Sequence, residues 1–322
     1  MRNQATVLLL AAAAFAAGAL QVEAAYPERP VHLVVGFPAG SSADTVARVF
    51  GQKLGEALGK PVVIDNAVGA AGNIAAERVA KAAPDGYTLG LLGEGQLLVN
   101  PNLYKLGYDP ETAFAPVSEV AWSTTMLVVN DALAVKSFGD LVRMARSQPG
   151  ELTFASGGSG SAPHMAAVLL ESAAGLDLRH VPYKGVVAGV PDLLAGRVTM
   201  MLSPIAIVLP LVREGKLHAL AVTSLDRSPA APGLPTIAES GFPGFEYTLW
   251  YGLLAPAGTP PAIVRKLHLE TAKALAQADL RSKLADLGLE AQASSPGEFA
   301  AFMRAEIPKW AKIIHDAGIR TD

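Results

Sequence analysis

Two short runs of Gly and Ser carry the residue types that can bind an anion: PAGSSAD at residues 38–44 and SGGSGSAPH at residues 156–164. Glycine lets a backbone turn with its N–H groups pointing outward, and serine adds hydroxyl donors. Where such a run opens a helix, the first N–H groups lack partners and the helix dipole adds partial positive charge. The second run offers Gly158, Ser159, Gly160 and Ser161. Ser161 is its expected cap, and Pro163 suits the first helical turn, where a missing N–H is no loss. The first run offers Gly40, Ser41 and Ser42. Asp44 falls in the first turn that follows, where a carboxylate suits the dipole. If each run takes one carboxylate, the pair makes a site for a dicarboxylate or similar small acid. Read singly, either run is most simply a turn with a cap. His164 is in the same way a first-turn residue before it is a base.

The elements that must position these runs follow from periodicity. The runs lie between strand patterns, VHLVVGF (31–37) and ELTFAS (151–156), and helical patterns at 42–59 and 162–175. In the first helix Val46, Val49, Phe50, Leu54 and Leu58 share a face. Strands PVVIDN (61–66) and YTLGLLG (87–93), with a helix at 72–83, complete a βαβαβ order that implies a parallel, doubly wound sheet. Beyond residue 110 the alternation restarts. FAPVSEVAW and TTMLVVN (124–130) read as two strands, 137–148 as a helix capped by Ser137, and shorter strands and helices follow to residue 224. The Pro/Gly-rich 228–245 is expected to cross between units, 247–256 to be a strand, and 260–277 and 295–318 to be the two closing helices. Two α/β units result, with the ligand expected in the cleft between them. Trp250 and Tyr251 fit the core or the cleft wall equally. EGQ (94–96) ends a strand and either reaches the cleft or only turns.

Composition narrows the chemistry. Of 322 residues, 51% are apolar and 17% charged, enough for a sizeable core in about two domains, and the net charge of −3 gives no reason to expect nucleic acid. There is no cysteine, which excludes disulfides and thiolate chemistry, and the six histidines are scattered without metal-ligand spacing. A metal and a cofactor are therefore not expected. The N-terminus reads as a secretory signal: Arg2, the apolar run 7–20, then VEA at 22–24, with cleavage expected after Ala24.

Enzyme motifs fail on their letters. Gly157-Gly158-Ser159-Gly160-Ser161 has Ser where a nucleophile elbow G-x-S-x-G needs its last Gly. Gly158 and Gly160 are followed by Pro163 where a dinucleotide fingerprint needs Gly. A periplasmic α/β enzyme of hydrolase type stays open as an alternative, as does a solute sensor for a signalling partner.

Several longer segments, in this order, carry a resemblance: YPERPVHLVVGFPAGSSADTVARVFGQKLGEALGKPVVIDNAVGAAGN, PDGYTL, FASGGSGSAPHMAAVLL, and VPYKGVVAGVPDLLAGRVTMM. They resemble the periplasmic receptors of tripartite tricarboxylate transporters, the Bug receptors, over nearly all of the chain after residue 24. The resemblance implies an α/β, two-domain periplasmic-binding-protein (Venus flytrap) fold, each domain a doubly wound, mainly parallel sheet. The expected division is a signal peptide at 1–24, one domain from 25–124 with 230–322, and the other from 125–229. It implies a monomer that captures a small organic acid in the periplasm. The acid is handed to the large and small integral membrane subunits of a permease, with no chemistry done on it. The family's carboxylate-holding positions fall here on Phe37, Ala39, Gly40, Ser41, Ser42 and Asp44, and on Gly158, Ser159, Gly160, Ser161 and His164. Three departures stand out. Ser41 replaces a common second Gly, NAVGAAG (66–72) replaces Asn-Arg-Pro-Gly-Ala-Gly-Gly, and Ser203 follows a strand where the family often has an acid. An acid there suits a ligand ammonium, so Ser203 weakens the case for aspartate or glutamate and leaves plain carboxylates, aromatic acids and less usual solutes open. Whether Ser203 and Gln96 touch the ligand is left open.

Overall fold

The computed structural model describes residues 26–319. The expected signal peptide, 1–24, lies outside them. The chain runs β1 (Val31–Val35), α1 (Ser42–Leu58), β2 (Val62–Asn66), α2 (Asn73–Ala80), β3 (Thr88–Gly93), a π-type turn at Gly95–Val99 and a short α3 (Asn100–Leu103). It continues through β4 (Phe114–Asn130), α4 (Phe138–Ser147), β5 (Thr153–Ser156), α5 (Ala162–Ala174), β6 (Arg179–Pro182), α6 (Val186–Leu194), β7 (Met200–Pro204), α7 (Ile205–Arg213) and β8 (Leu217–Val222). It ends with β9 (Thr248–Pro256), α8 (Pro261–Leu275), α9 (Ala278–Asp286), β10 (Glu290–Ala291) and α10 (Pro296–Asp316).

The strands form one sheet in the order β2-β1-β3-β9-β4-β7-β5-β6, with β8 and β10 also paired to β4. The parallel triples expected from the alternation are present at its two ends, β2-β1-β3 and β7-β5-β6. Antiparallel strands β9 and β4 join them. β4 corrects the sequence reading: 114–122 and 124–130 are one strand of 17 residues. Apolar and β-branched residues run through it without a stop, and its Pro116 is accommodated where the register with β9 shifts. β4 pairs with β9 as far as Thr124 and with β7 from Thr125 onward.

Local chemistry explains the ends of the main helices. In α1 the Ser41 hydroxyl accepts the Asp44 N–H, and Gly59 closes the helix at φ 70°. Phe50 and Leu54 on its inner face are fully buried, each contributing roughly 1.5–3 kcal/mol, whereas Val49 is only half-buried. In α10 Ser295 and Glu298 form a reciprocal capping box. The closing region holds an extra helix, α9, between the two expected ones. Only Leu280 and Leu284 anchor it, too short an apolar pattern to stand out. No helix among the described residues is long and apolar enough to cross a membrane.

Candidate functional site

Strand β1 delivers the chain into the 38–44 loop and β5 into the 156–161 loop, and both loops open helices on one cavity of about 410 Å³. Ser41, Ser42 and Ala43 stand on one wall, and Ser159, Gly160, Ser161 and Ala162 on another. Phe37, Tyr104, Leu249 and Tyr251 supply apolar and aromatic surface. The volume suits a small organic molecule.

Of the residues proposed from sequence, the structure brings Phe37, Ser41, Ser42, Ser159, Gly160 and Ser161 to this cavity. It places the others elsewhere. Gly40 and Ala39 are exposed and do not line it. The Gly40 N–H, expected for the ligand, donates to Asp44 Oδ2 at 2.8 Å. Asp44 is buried beneath the loop and also accepts from Arg48 Nε and Asn66 Nδ2, each at 2.9 Å. The Arg48 hydrogen bond, with those of Gly40 and Asn66, lowers its pKa to about 2. Asp44 is thus a carboxylate that shapes the loop from behind. Asn66 also donates to the Phe37 carbonyl, tying the loop's start to the same group.

The second loop repeats this arrangement with different chemistry. The Gly160 N–H donates to His164 Nδ1 at 3.0 Å, again from a residue to the one four ahead. Gly158, at φ 114°, donates to Ser156 Oγ. His164 is buried behind the loop and stacks on His180, with centroids 4.1 Å apart. Burial, then the neighbouring His180, lowers its pKa to about 4. His164 therefore supports the loop as a neutral acceptor and lies outside the cavity. Ser203 is fully buried in β7, opposite Met126, and it is Pro204 beside it that reaches the cavity.

What remains on the walls can still hold an anion. Among the described residues no protein acceptor meets the N–H groups of Ser42, Ala43 and Ala162, all at first helical turns. The two serine caps differ. Ser41 Oγ is engaged by Asp44 N–H, whereas Ser161 Oγ is buried with no partner. Pro163, at the second helical position, has no N–H to offer it.

Sequence reasoning missed Tyr104 and Tyr247 and left Glu94 open within EGQ (94–96); all three line the cavity. Glu94 is buried, and burial raises its pKa to about 7. The only signal was its place just after a strand end. Gln96, left open from sequence, does reach the wall. Its Oε1 accepts Gly93 N–H, and its amide packs so close to Gly72 that a Cβ there would sit 2.1 Å from Nε2. Gly72 is also at φ 87°, so glycine is required twice over. Tyr251 is on the wall, its pKa pushed up to about 12 by burial despite a hydrogen bond with Ser42. Trp250 is core, packed edge-on against Phe299 and Phe302. The described residues contain no group of three or more His, Asp or Glu placed to hold a metal.

Comparison with known proteins agrees with this geometry. BugT of Bordetella pertussis is 36% identical over 301 residues, covering 92% of this chain and 91% of its own. The solved structure of R. palustris Rpa4515 with adipate superposes with a TM-score of 0.79 at 38% identity, over 92% of this chain and all of that one. MatC (Rpa3494) from Rhodopseudomonas palustris with bound malate superposes at 0.75 with 35% identity, over 90% of this chain and all of that one. The family model described as tripartite tricarboxylate transporter family receptor matches residues 46–319. The chain belongs to this family of solute-binding receptors and has its two-domain periplasmic-binding-protein fold.

Proposed function

We propose that this receptor captures a small carboxylated solute in the cavity between its two Gly/Ser loops and passes it unchanged to a permease of one large and one small membrane subunit. The reading includes export to the periplasm after removal of residues 1–24. It divides the mature chain into two lobes, 25–124 with 230–322, and 125–229. Ser41, Ser42, Ser159, Gly160 and Ser161 line the ligand's path, while Asp44 and His164 hold the loops in shape.

The observation that carries this is the set of N–H groups without acceptors at Ser42, Ala43 and Ala162, brought to one cavity from two helix N-termini. The adipate and malate held by related structures are acids of the same size class. A thermal-shift screen of organic acids, amino acids, sugars and polyamines tests it. Acids should raise the melting temperature, since ligand at 100 times its Kd adds about 2.7 kcal/mol. Stabilisation by sugars or polyamines alone would overturn the reading.

A further inference from the structure

A cavity that takes an anion is expected to hold a cation, and this one does not. Among the described residues no Lys, Arg or His side chain lines it, and the one carboxylic acid that does is Glu94. The Glu94 side chain is 6% exposed. Its Oε2 has the Trp250 N–H only at a long 3.5 Å, and the buried hydroxyl of Tyr247, a residue of the same cavity, has no hydrogen-bond partner among the described residues. On its far side Glu94 also lines a second cavity of about 240 Å³, together with Glu246, Glu306 and Lys309. Lys309 is engaged there by both carboxylate oxygens of Glu306, so it does not neutralise Glu94. An ionised carboxylate buried without a cation is costly, and beside a bound carboxylate it would also repel the ligand.

We propose that Glu94 sets the specificity of the cleft: as a neutral acid it donates a hydrogen bond to an anionic oxygen of the solute, so binding takes up a proton and simple organic acids are preferred to amino acids. This rests on the carboxylate-receptor reading above. A neutral Glu94 offers an ammonium group no charge, and a charged Glu94 opposes an acid.

Other titratable groups surround Glu94. Tyr247 and Tyr251, from the β9 side, are pushed up by burial and stay neutral. Glu246, just before β9, is raised by burial but stands outside the cleft cavity. Glu306 and Lys309 on α10 pair with each other. Burial holds the pKa of Glu94 near 7, and a bound carboxylate raises it further.

The test is isothermal calorimetry with adipate, malate and benzoate as acids and glutamate as the amino acid, from pH 6 to pH 8 in two buffers of different ionisation heat. The parent should bind an acid about tenfold more weakly at pH 8 than at pH 6, with proton uptake. Glu94→Gln, which keeps a donor, should lose that slope, and Glu246→Gln should keep it. Affinity that is flat or rises with pH in the parent, a preference for glutamate, or a slope that survives in Glu94→Gln overturns the proposal. If none of these acids binds the parent at any pH, the carboxylate reading itself fails and the proposal falls with it.

Discussion

Asp44 and His164 occupy matching places, four residues after a loop glycine whose N–H they accept, yet they respond to acid differently. Asp44 is charged and has Arg48, Gly40 and Asn66 around it, so its support is present above pH 3.8 and is lost only as pH falls through about 2. His164 is neutral. Its pKa is depressed to about 4 from 6.5, so the stability it contributes is full above pH 6.5 and is lost as pH falls through about 4. Protonation would place a hydrogen on Nδ1 and break the Gly160 bond. Glu94 pulls the other way: its raised pKa means stability is full below pH 4.5 and is lost as pH rises through about 7. A mutant isolates one group from the other. Melting of the parent and His164→Gln at pH 4.5 and 7.5 should show the parent's advantage larger at pH 7.5, by up to about 3 kcal/mol. An advantage that does not change with pH would mean that His164 titrates as in an open chain.

At the scale of elements, the strand–loop–helix units were legible because period-2 and period-3.6 apolar patterns meet at a Gly/Ser run. That grammar located both loops correctly. It did not reveal which N–H groups the protein uses internally, because Gly40 and Gly160 reach side chains four residues on, a detail of backbone angle. Nor did it decide between cleft and turn for Glu94, a single letter after β3 that the π-type turn at Gly95–Val99 fixes on the cavity wall. The finding also changes how the loops must be probed. Gly40 and Gly160 lie at φ 83° and 75°, where proline cannot follow, so Gly→Pro would test strain more than binding. Serine gives a cleaner contrast. Ser41→Ala removes a cap bond and should cost about 1 kcal/mol of stability. Ser161→Ala removes a hydroxyl with no protein partner, so unliganded melting should stay within about 0.5 kcal/mol of the parent, while affinity for an acid should fall roughly tenfold. Equal affinity in Ser161→Ala and parent would remove that hydroxyl from the site.

In the whole molecule, β4 is the strand that the sequence divided in two and the fold does not. Its pairing passes from β9 to β7 between Thr124 and Thr125, where side chains from distant segments meet. Thr125 Oγ1 lies 2.8 Å from Thr223 Oγ1, Thr223 donates to the Tyr247 carbonyl at 2.6 Å, and Thr124 donates to Ser224 at 3.0 Å. The chain thus passes between the two halves of the sheet along a narrow, hydroxyl-linked line, and the cavity opens between loops carried by β1 in one half and β5 in the other. A ligand held from both sides stabilises the arrangement in which the two sets of donors are close, because only there can it meet both. The expected motion is a rotation of the halves about the 123–125 and 223–248 passages, with each half's own core unchanged. Small-angle scattering checks it: the radius of gyration should fall when a saturating acid is added to the parent. The same acid at the same concentration should leave it unchanged in a variant that no longer binds. Equal radii with and without ligand in a parent shown by calorimetry to be saturated would mean that the two halves are already fixed around the cavity, and that the solute enters without closure.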